Sequence, residues 1–261
     1  MKTKIGIALS GGGARGIAHL GILKALEEFG IKPNIISGTS AGAIVGAFYA
    51  GGYTYDEMIQ IVDQGHFFNF TDIFISKPGL FSMKGFEEIY SKYFPGNSFK
   101  KLKIPLFITA TDILKGELKY LSSGNLSRSL MASSCIPFVF EPVSYNNTFY
   151  IDGGVLNNFP IEPLVKDCDI VIGVYVNSIK KEKSQIQISS IIDRSFHLAI
   201  SNSVNSKVNS CDLFISPPDM SQFGVFELEK SKEIFEYGYQ HCLSLRTQIE
   251  KMKKKHNISL N

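Results

Sequence analysis

Along this chain, short runs of almost wholly apolar residues alternate with longer stretches whose apolar residues recur at helical spacing. Ile5–Leu9 is a short apolar run ended by glycines, which suits a buried strand. Across Ile17–Phe29, Leu20, Leu23, Ala25 and Leu26 repeat on one side while Glu27 and Glu28 face outward. Gly30 then closes that predicted helix. Asn34–Ser37 reads as a second strand, and Ala41–Ala50 as a helix of small apolar residues broken by Gly51-Gly52. Thr54 and Glu57 have the spacing of a capping box for a helix over Tyr55–Val62. Further strands are predicted at Leu106–Thr111, Leu118–Ser122, Thr148–Ile151, Ile170–Val176 and Leu213–Ile215. Helices fit Leu126–Ser133, Ser189–Val208 and Leu228–Met252. Strands alternating with helices of this length imply an α/β fold with a mostly parallel sheet covered on both faces. The segment His66–Phe86 departs from the pattern: its Phe67, Phe68, Phe70, Ile73, Phe74, Ile75, Leu80, Phe81 and Phe86 follow no clean period, and Pro78-Gly79 interrupts them.

Composition narrows the class without naming a partner. With 44% hydrophobic and 20% charged residues among 261, the chain can bury a substantial core, and no Pro/Gly/Ser-rich linker divides it. A single domain over 1–261 is expected. The net charge of +3 is spread along the chain and falls short of a nucleic-acid footprint, so no nucleic-acid partner is expected. Cys135, Cys168, Cys211 and Cys242 are widely spaced, which argues against a metal site or disulfide framework and fits reduced thiols in a cytosolic protein. The apolar run after Met1-Lys2-Thr3-Lys4 is too short for a signal peptide, and no run approaches a membrane span. The reading is therefore a cytoplasmic protein, with peripheral membrane contact left open. The closing run Lys251, Lys253, Lys254 and Lys255 can complement a helix terminus or attract anionic lipid, and a solvated tail is the expectation.

Three motifs carry candidate chemistry. Gly11-Gly12-Gly13-Ala14-Arg15-Gly16 follows the first strand and opens a helix. It satisfies the dinucleotide fingerprint, which also requires an acidic residue ending the second strand. That strand ends at Ile36-Ser37-Gly38 without a carboxylate, so the dinucleotide reading is disfavoured. What remains is a row of unobstructed backbone N–H groups at a helix N-terminus, able to hold a phosphate or a developing oxyanion. Gly38-Thr39-Ser40-Ala41-Gly42 lies between a strand and a small-residue helix, the setting of a nucleophile elbow that lifts a serine hydroxyl over the sheet edge. Only one strand and one helix precede Ser40, which argues against the ordinary α/β-hydrolase order. Asp152-Gly153-Gly154 follows the strand Thr148–Ile151, placing a carboxylate where it can share a crevice with Ser40, or simply forming a turn.

Together the glycine row, the elbow and the Asp-Gly-Gly element resemble the patatin-like phospholipase family in its compact bacterial form. Ala132-Ser133-Ser134-Cys135-Ile136-Pro137 is similar to a further stretch of that family, and the resemblance runs from Ile5 to about Pro163. Asp-Gly-Gly stands where many members have Asp-Gly-Ala. The resemblance implies a three-layer α/β/α fold of FabD/lysophospholipase-like kind and a metal-free, cofactor-free serine acyl hydrolase. It implies a dyad in which Ser40 is the nucleophile and Asp152 the general base, with Gly11, Gly12, Gly13 and Ala14 supplying an oxyanion hole. Gly16, Gly38, Gly42, Gly153 and Gly154 support these motifs. Arg15 shapes the glycine loop, meets a substrate phosphate or forms a surface ion pair. The expected substrates are phospholipids, lysophospholipids or other acyl esters, and the sequence leaves the oligomeric state open.

Alternatives remain. An acyltransferase or thioesterase pairs its serine with a histidine, and His197 and His241 follow Asp152, each within a predicted helix; His19, after the glycine loop, is read as packing. A catalytically silent lipid-binding module is a further reading. The Phe-rich stretch Phe67–Phe86, within a possible lid over 64–95, is either core or an acyl-chain groove.

Overall fold

The structure is a computed structural model and describes residues 3–64, 75–77, 80–178, 198 and 204–258, with backbone alone at 75–77, 80 and 84. Its centre is an eight-stranded sheet. Strands β1 (Ile5–Leu9), β2 (Ile35–Gly38), β5 (Leu106–Asp112), β9 (Ile170–Val174) and β10 (Leu213–Ile215) run parallel in the order β10-β9-β1-β2-β5. Beyond them β6 (Glu117–Leu121), β7 (Val143–Tyr145) and β8 (Thr148–Asp152) pair antiparallel. A separate small ribbon joins β3 (Ile75–Lys77) to β4 (Leu80–Phe81).

The period of two in the strands divides the core into two layers. Ile5, Ile7 and Leu9 of β1, Ile36 of β2, Leu106 and Ile108 of β5, and Ile170, Ile172 and Val174 of β9 share the larger core. There they meet α1 (Ala18–Glu28), α2 (Ala41–Gly51), α5 (Leu126–Ser133), α8 (Ser231–Ser244) and α9 (Arg246–Lys255). The alternate residues Ala8, Ile35, Val171 and Tyr175 pack on the other face against Phe159, Ile161, Val204 and Leu164 of α7 (Glu162–Asp167). Helices thus cover both faces of the sheet, as the apolar runs predict.

Several elements depart from the sequence reading. The first helix begins as a 3₁₀ turn over Gly13–Ile17, and Gly30 (φ 76°) follows its end. The capping box of α3 (Tyr55–Asp63) forms as predicted, with Glu57 N donating to Thr54 Oγ1 and Thr54 N to Glu57 Oε2. The long helix expected over Leu228–Met252 is three pieces: a 3₁₀ turn at Leu228–Lys230, then α8 and α9, which meet at Leu245. A helix that the reading did not anticipate, α4 (Lys84–Tyr93), emerges from the Phe-rich region. Residues 65–74 and 78–79 of that region, most of the helix expected over Ser189–Val208, and His66 and His197 lie outside the described residues. The basic C-terminal run is not a solvated tail. It forms the end of α9, where buried Lys253 donates to the Phe29 carbonyl (2.8 Å) and Lys255 pairs with Asp212 (2.9 Å). No helix among the described residues is long and apolar enough to cross a membrane.

Candidate active site

The register of three strands around β5 explains how Ser40 and Asp152 meet. β6 occupies one edge of β5 from Ile108 to Asp112. Both β2, paired with Leu106 to Ile108, and β8, paired with Ala110 to Asp112, therefore lie along the other edge. β2 runs with β5 and ends at Gly38, opposite Ile108; β8 runs against it and ends at Asp152, opposite Ala110. The two strands approach each other head-on, and the gap between their ends lies at Thr109. The sequence reading placed Asp152 at the C-terminal end of a strand, in reach of a crevice shared with Ser40. The carboxylate reaches the same level from the opposite direction, because β8 is antiparallel.

Thr109 ties the two ends together. Its Oγ1 lies 2.6 Å from Thr39 Oγ1, and Thr39 Oγ1 donates to the Asn157 carbonyl at 2.9 Å. A side chain at Gly153 would strike Thr109 Oγ1 and its carbonyl (2.3 and 2.5 Å). In the elbow, a Cβ on Gly42 would fall 2.3 Å from the Leu9 carbonyl, and one on Gly38 would fall 2.6 Å from Ala43 N. The turn closes only without those atoms. Ser40 pivots between them at φ 52° and ψ −122°, a backbone region that costs a non-glycine residue roughly 1–3 kcal/mol and is typical of sites built for function.

The strain is held from the end of α5 and the segment after it, part of the stretch 132–137 singled out in the sequence. Ser133, last residue of α5, accepts the Ser40 N–H on its Oγ at 2.8 Å. Asp152 N donates to the Cys135 carbonyl at 2.9 Å, and Thr111 Oγ1 donates to the Asp152 carbonyl at 3.0 Å. The segment after α5 thus fixes both halves of the pair. The family-like stretch 132–137 includes Ser133, but its sequence alone does not assign it this contact.

The Asp152 carboxyl is buried, and burial raises its pKa to about 6, against the opposing pull of the Gly154 N–H and the Ser40 hydroxyl. Gly154 N donates to Asp152 Oδ1 at 2.7 Å, which leaves the carboxyl oriented as well as tuned. A carboxyl of this kind can accept a proton near neutrality, which an ordinary aspartate does poorly.

The glycine row lies against the elbow: a Cβ on Gly11 would sit 3.2 Å from Ser40 Cβ. Its backbone groups are not equivalent. Gly11 N donates to the Asn158 carbonyl (3.3 Å) and Ala14 N to the Val225 carbonyl (2.8 Å). Gly12 and Gly13 N–H have no partner among the described residues. Gly13 adopts φ 57° with Val225 O where its Cβ would be, so no side chain fits there. Asn177 Nδ2 donates to the Gly11 carbonyl at 2.5 Å. Arg15 is buried rather than on the surface, with Nε donating to the Phe223 carbonyl at 2.7 Å, and so anchors the 223–225 segment on the loop.

Ser40 and Gly13 open onto a hollow of about 360 Å3 including its open mouth, walled by Ile44, Met83, Phe86, Tyr90, Ile136, Phe140 and Phe226. Phe86, the end of the Phe-rich stretch, and Tyr90 reach it from α4. Two buried hydroxyls of the lining, Tyr90 Oη and Ser134 Oγ, have no hydrogen-bond partner among the described residues. None of the lining residues is a histidine. His19 is fully buried, and desolvation lowers its pKa to about 4, outweighing its bond to Ser10. Its Nε2 lies 2.8 Å from the Ser10 carbonyl, which can only accept, so His19 is a neutral Nε2–H donor. His241 sits within α8, where burial lowers its pKa, and His256 pairs with Asp212 at 2.9 Å.

Among known proteins, residues 7–165 match the family model described as Patatin-like phospholipase. The chain belongs to the patatin-like phospholipase family. Over 98% of its length this patatin-like chain is 27% identical to the lysophospholipase nte1 of Aspergillus fumigatus, of which it covers 19%. Over 67% of its length it is 30% identical to an uncharacterised NTE family protein of Mycobacterium tuberculosis, of which it covers 49%. The chain thus spans at most about half the length of these relatives. In fold it is similar to VipD from Legionella pneumophila, with a TM-score of 0.53 and 15% identity over 97% of this chain and 67% of that one.

Proposed function

We propose that this patatin-like chain is a serine acyl hydrolase of lipase, phospholipase A or lysophospholipase type, cleaving fatty-acyl esters through a Ser40–Asp152 dyad. The observation that carries the reading is the meeting of a strained Ser40, which lines an apolar hollow, with a buried carboxyl whose pKa is raised to about 6. In the proposed cycle Ser40 Oγ attacks the ester carbonyl carbon while its proton passes to Asp152. Gly12 and Gly13 N–H hold the oxyanion, since the N–H groups of Gly11 and Ala14 are already engaged. Collapse breaks the ester bond, and the leaving alcohol takes the proton from Asp152. Water, deprotonated in turn by Asp152, then releases the fatty acid and restores Ser40. The apolar walls take the acyl chain, and the unpaired hydroxyls of Tyr90 and Ser134 offer hydrogen bonds to substrate oxygens.

Eight of the described strands share one sheet with a core on each face, which supports a single hydrolase domain over 1–261. The Met83–Tyr90 side of the hollow fits a lid reading for 64–95. Four free thiols support a reducing, cytosolic compartment, with any membrane contact peripheral. A histidine-assisted transferase has no support in the hollow, whose lining lacks histidine. The test is a panel of p-nitrophenyl esters, phospholipids and lysophospholipids run with wild type, Ser40→Ala and His241→Ala. Hydrolysis by wild type and His241→Ala with none by Ser40→Ala is the expected outcome. Equal turnover by Ser40→Ala would refute the assignment.

A further inference from the structure

Three exposed aromatic rings lie on or beside the segments that wall the hollow. Phe138 is 87% exposed, Phe226 50% and Phe81 38%. Phe138 also holds φ 67°, a left-handed conformation unfavourable for a bulky residue, and an exposed ring returns no burial to offset it. Each ring is tied by the chain to a wall of the hollow. Phe138 lies between Ile136 and Phe140, both walls of the hollow, and Phe226 is itself a wall. Phe81 is tied to the same segment by Phe81 N donating to the Val139 carbonyl and Glu141 N to the Phe81 carbonyl, each at 2.9 Å.

We infer that Phe81 and Phe138, continuous with the half-exposed wall Phe226, form a surface that inserts into the face of a phospholipid bilayer. The choice of lipid rests on the acyl-hydrolase reading: the rings continue the segment whose Ile136 and Phe140 wall the hollow, so an acyl ester held at them stays in apolar contact on its way to Ser40. Insertion rather than charge supplies the attraction. Lys253 and Lys255 of the basic C-terminal run are engaged within the fold, and the net charge is only +3.

The chain contains no tryptophan, so Phe138→Trp introduces a single reporter. The experiment uses Ser40→Ala protein, to prevent turnover, with neutral phosphatidylcholine vesicles at physiological salt. Val165→Trp is the control: it is exposed on α7, which leads into the start of β9, at the sheet edge away from the elbow. Vesicles are expected to shift emission to the blue at Phe138→Trp and not at Val165→Trp. In vesicle flotation, Phe81→Ser/Phe138→Ser is expected to partition about tenfold or more weakly than its Ser40→Ala parent, the effect of losing roughly 60 Å2 or more of apolar burial. Made with Ser40 intact, the same double variant is expected to hydrolyse a soluble short-chain ester like wild type. No shift at Phe138→Trp, an equal shift at Val165→Trp, or undiminished flotation of the double variant overturns the inference. So does a blue shift that grows with protein concentration without vesicles, which marks a second copy of the chain as the occupant. Loss of soluble-ester hydrolysis in the double variant also overturns it, by placing the rings in the fold or the hollow. Because vesicle binding is read without turnover, it stands or falls separately from the hydrolase reading.

Discussion

Asp152→Asn removes a buried charge while keeping the shape of the side chain, so its effect on stability reports how firmly the fold raises this carboxyl's pKa. In the folded protein that pKa is about 6, with burial as the main cause. In the unfolded chain it is near 4. The gap of about two units corresponds to about 3 kcal/mol. Below about pH 4 the group is protonated in both states and costs the fold nothing. As pH rises from about 4 to about 6, the unfolded chain releases its proton first, so wild-type stability falls. Above about pH 6 the whole penalty is present. Asparagine is uncharged throughout, and its Oδ1 can still accept the Gly154 N–H that Asp152 accepts at 2.7 Å. The variant is therefore expected to match wild type near pH 4 and to exceed it by up to about 3 kcal/mol near pH 8, while losing activity. Guanidinium unfolding of both proteins across that range measures the difference. A difference that does not change with pH, or a variant less stable near pH 8, would refute the reasoning.

Two further outcomes follow from the same geometry. If Asp152 acts as the proposed base it must be deprotonated, so kcat/KM is expected to rise through about pH 6 to a plateau in a pH–rate profile on a soluble ester. A profile already flat at about pH 5 would assign proton transfer elsewhere. Ser133→Ala removes the acceptor of the Ser40 N–H and leaves a buried donor unpaired, a loss of roughly 1–3 kcal/mol. Steady-state kinetics are expected to show kcat lowered about tenfold to a hundredfold with KM little changed, whereas a change confined to KM would remove Ser133 from the support of the elbow.

Much of this arrangement is legible in the sequence because it obeys local rules. Runs such as Ile5–Leu9 and Leu213–Ile215 are strands at the predicted bounds, and Leu126–Ser133 is a helix at its predicted bounds. The Gly38-Thr39-Ser40-Ala41-Gly42 turn is legible because steric necessity fixes its glycines. Helix α4 was also within reach: Phe86, Ile89, Tyr90, Tyr93 and Phe94 repeat at i, i+3, i+4, i+7 and i+8, but the aromatic crowding before them hides the period. Other features depend on long-range pairing that no local pattern encodes. The head-on approach of β2 and β8 along one edge of β5 follows from strand direction, and local sequence does not specify direction. Ser133, Asn158 and Asn177 act on the site from segments far away in the chain, through hydrogen bonds rather than periodicity. The unequal availability of the glycine N–H groups likewise depends on Asn158 and Val225, which a motif cannot show. Arg15 is polar and lies beside a candidate site, yet its Nε meets a backbone carbonyl 208 residues on.

Covalent labelling by a fluorophosphonate tests the central claim most directly, because the probe reports a nucleophilic serine without requiring the natural substrate. Peptide mass spectrometry of the labelled protein is expected to find the adduct on Ser40 alone, with labelling lost in Ser40→Ala, strongly slowed in Asp152→Asn and unchanged in His241→Ala. A folded wild-type protein left unmodified at Ser40, or labelling that depends on His241 and not on Asp152, would contradict the dyad.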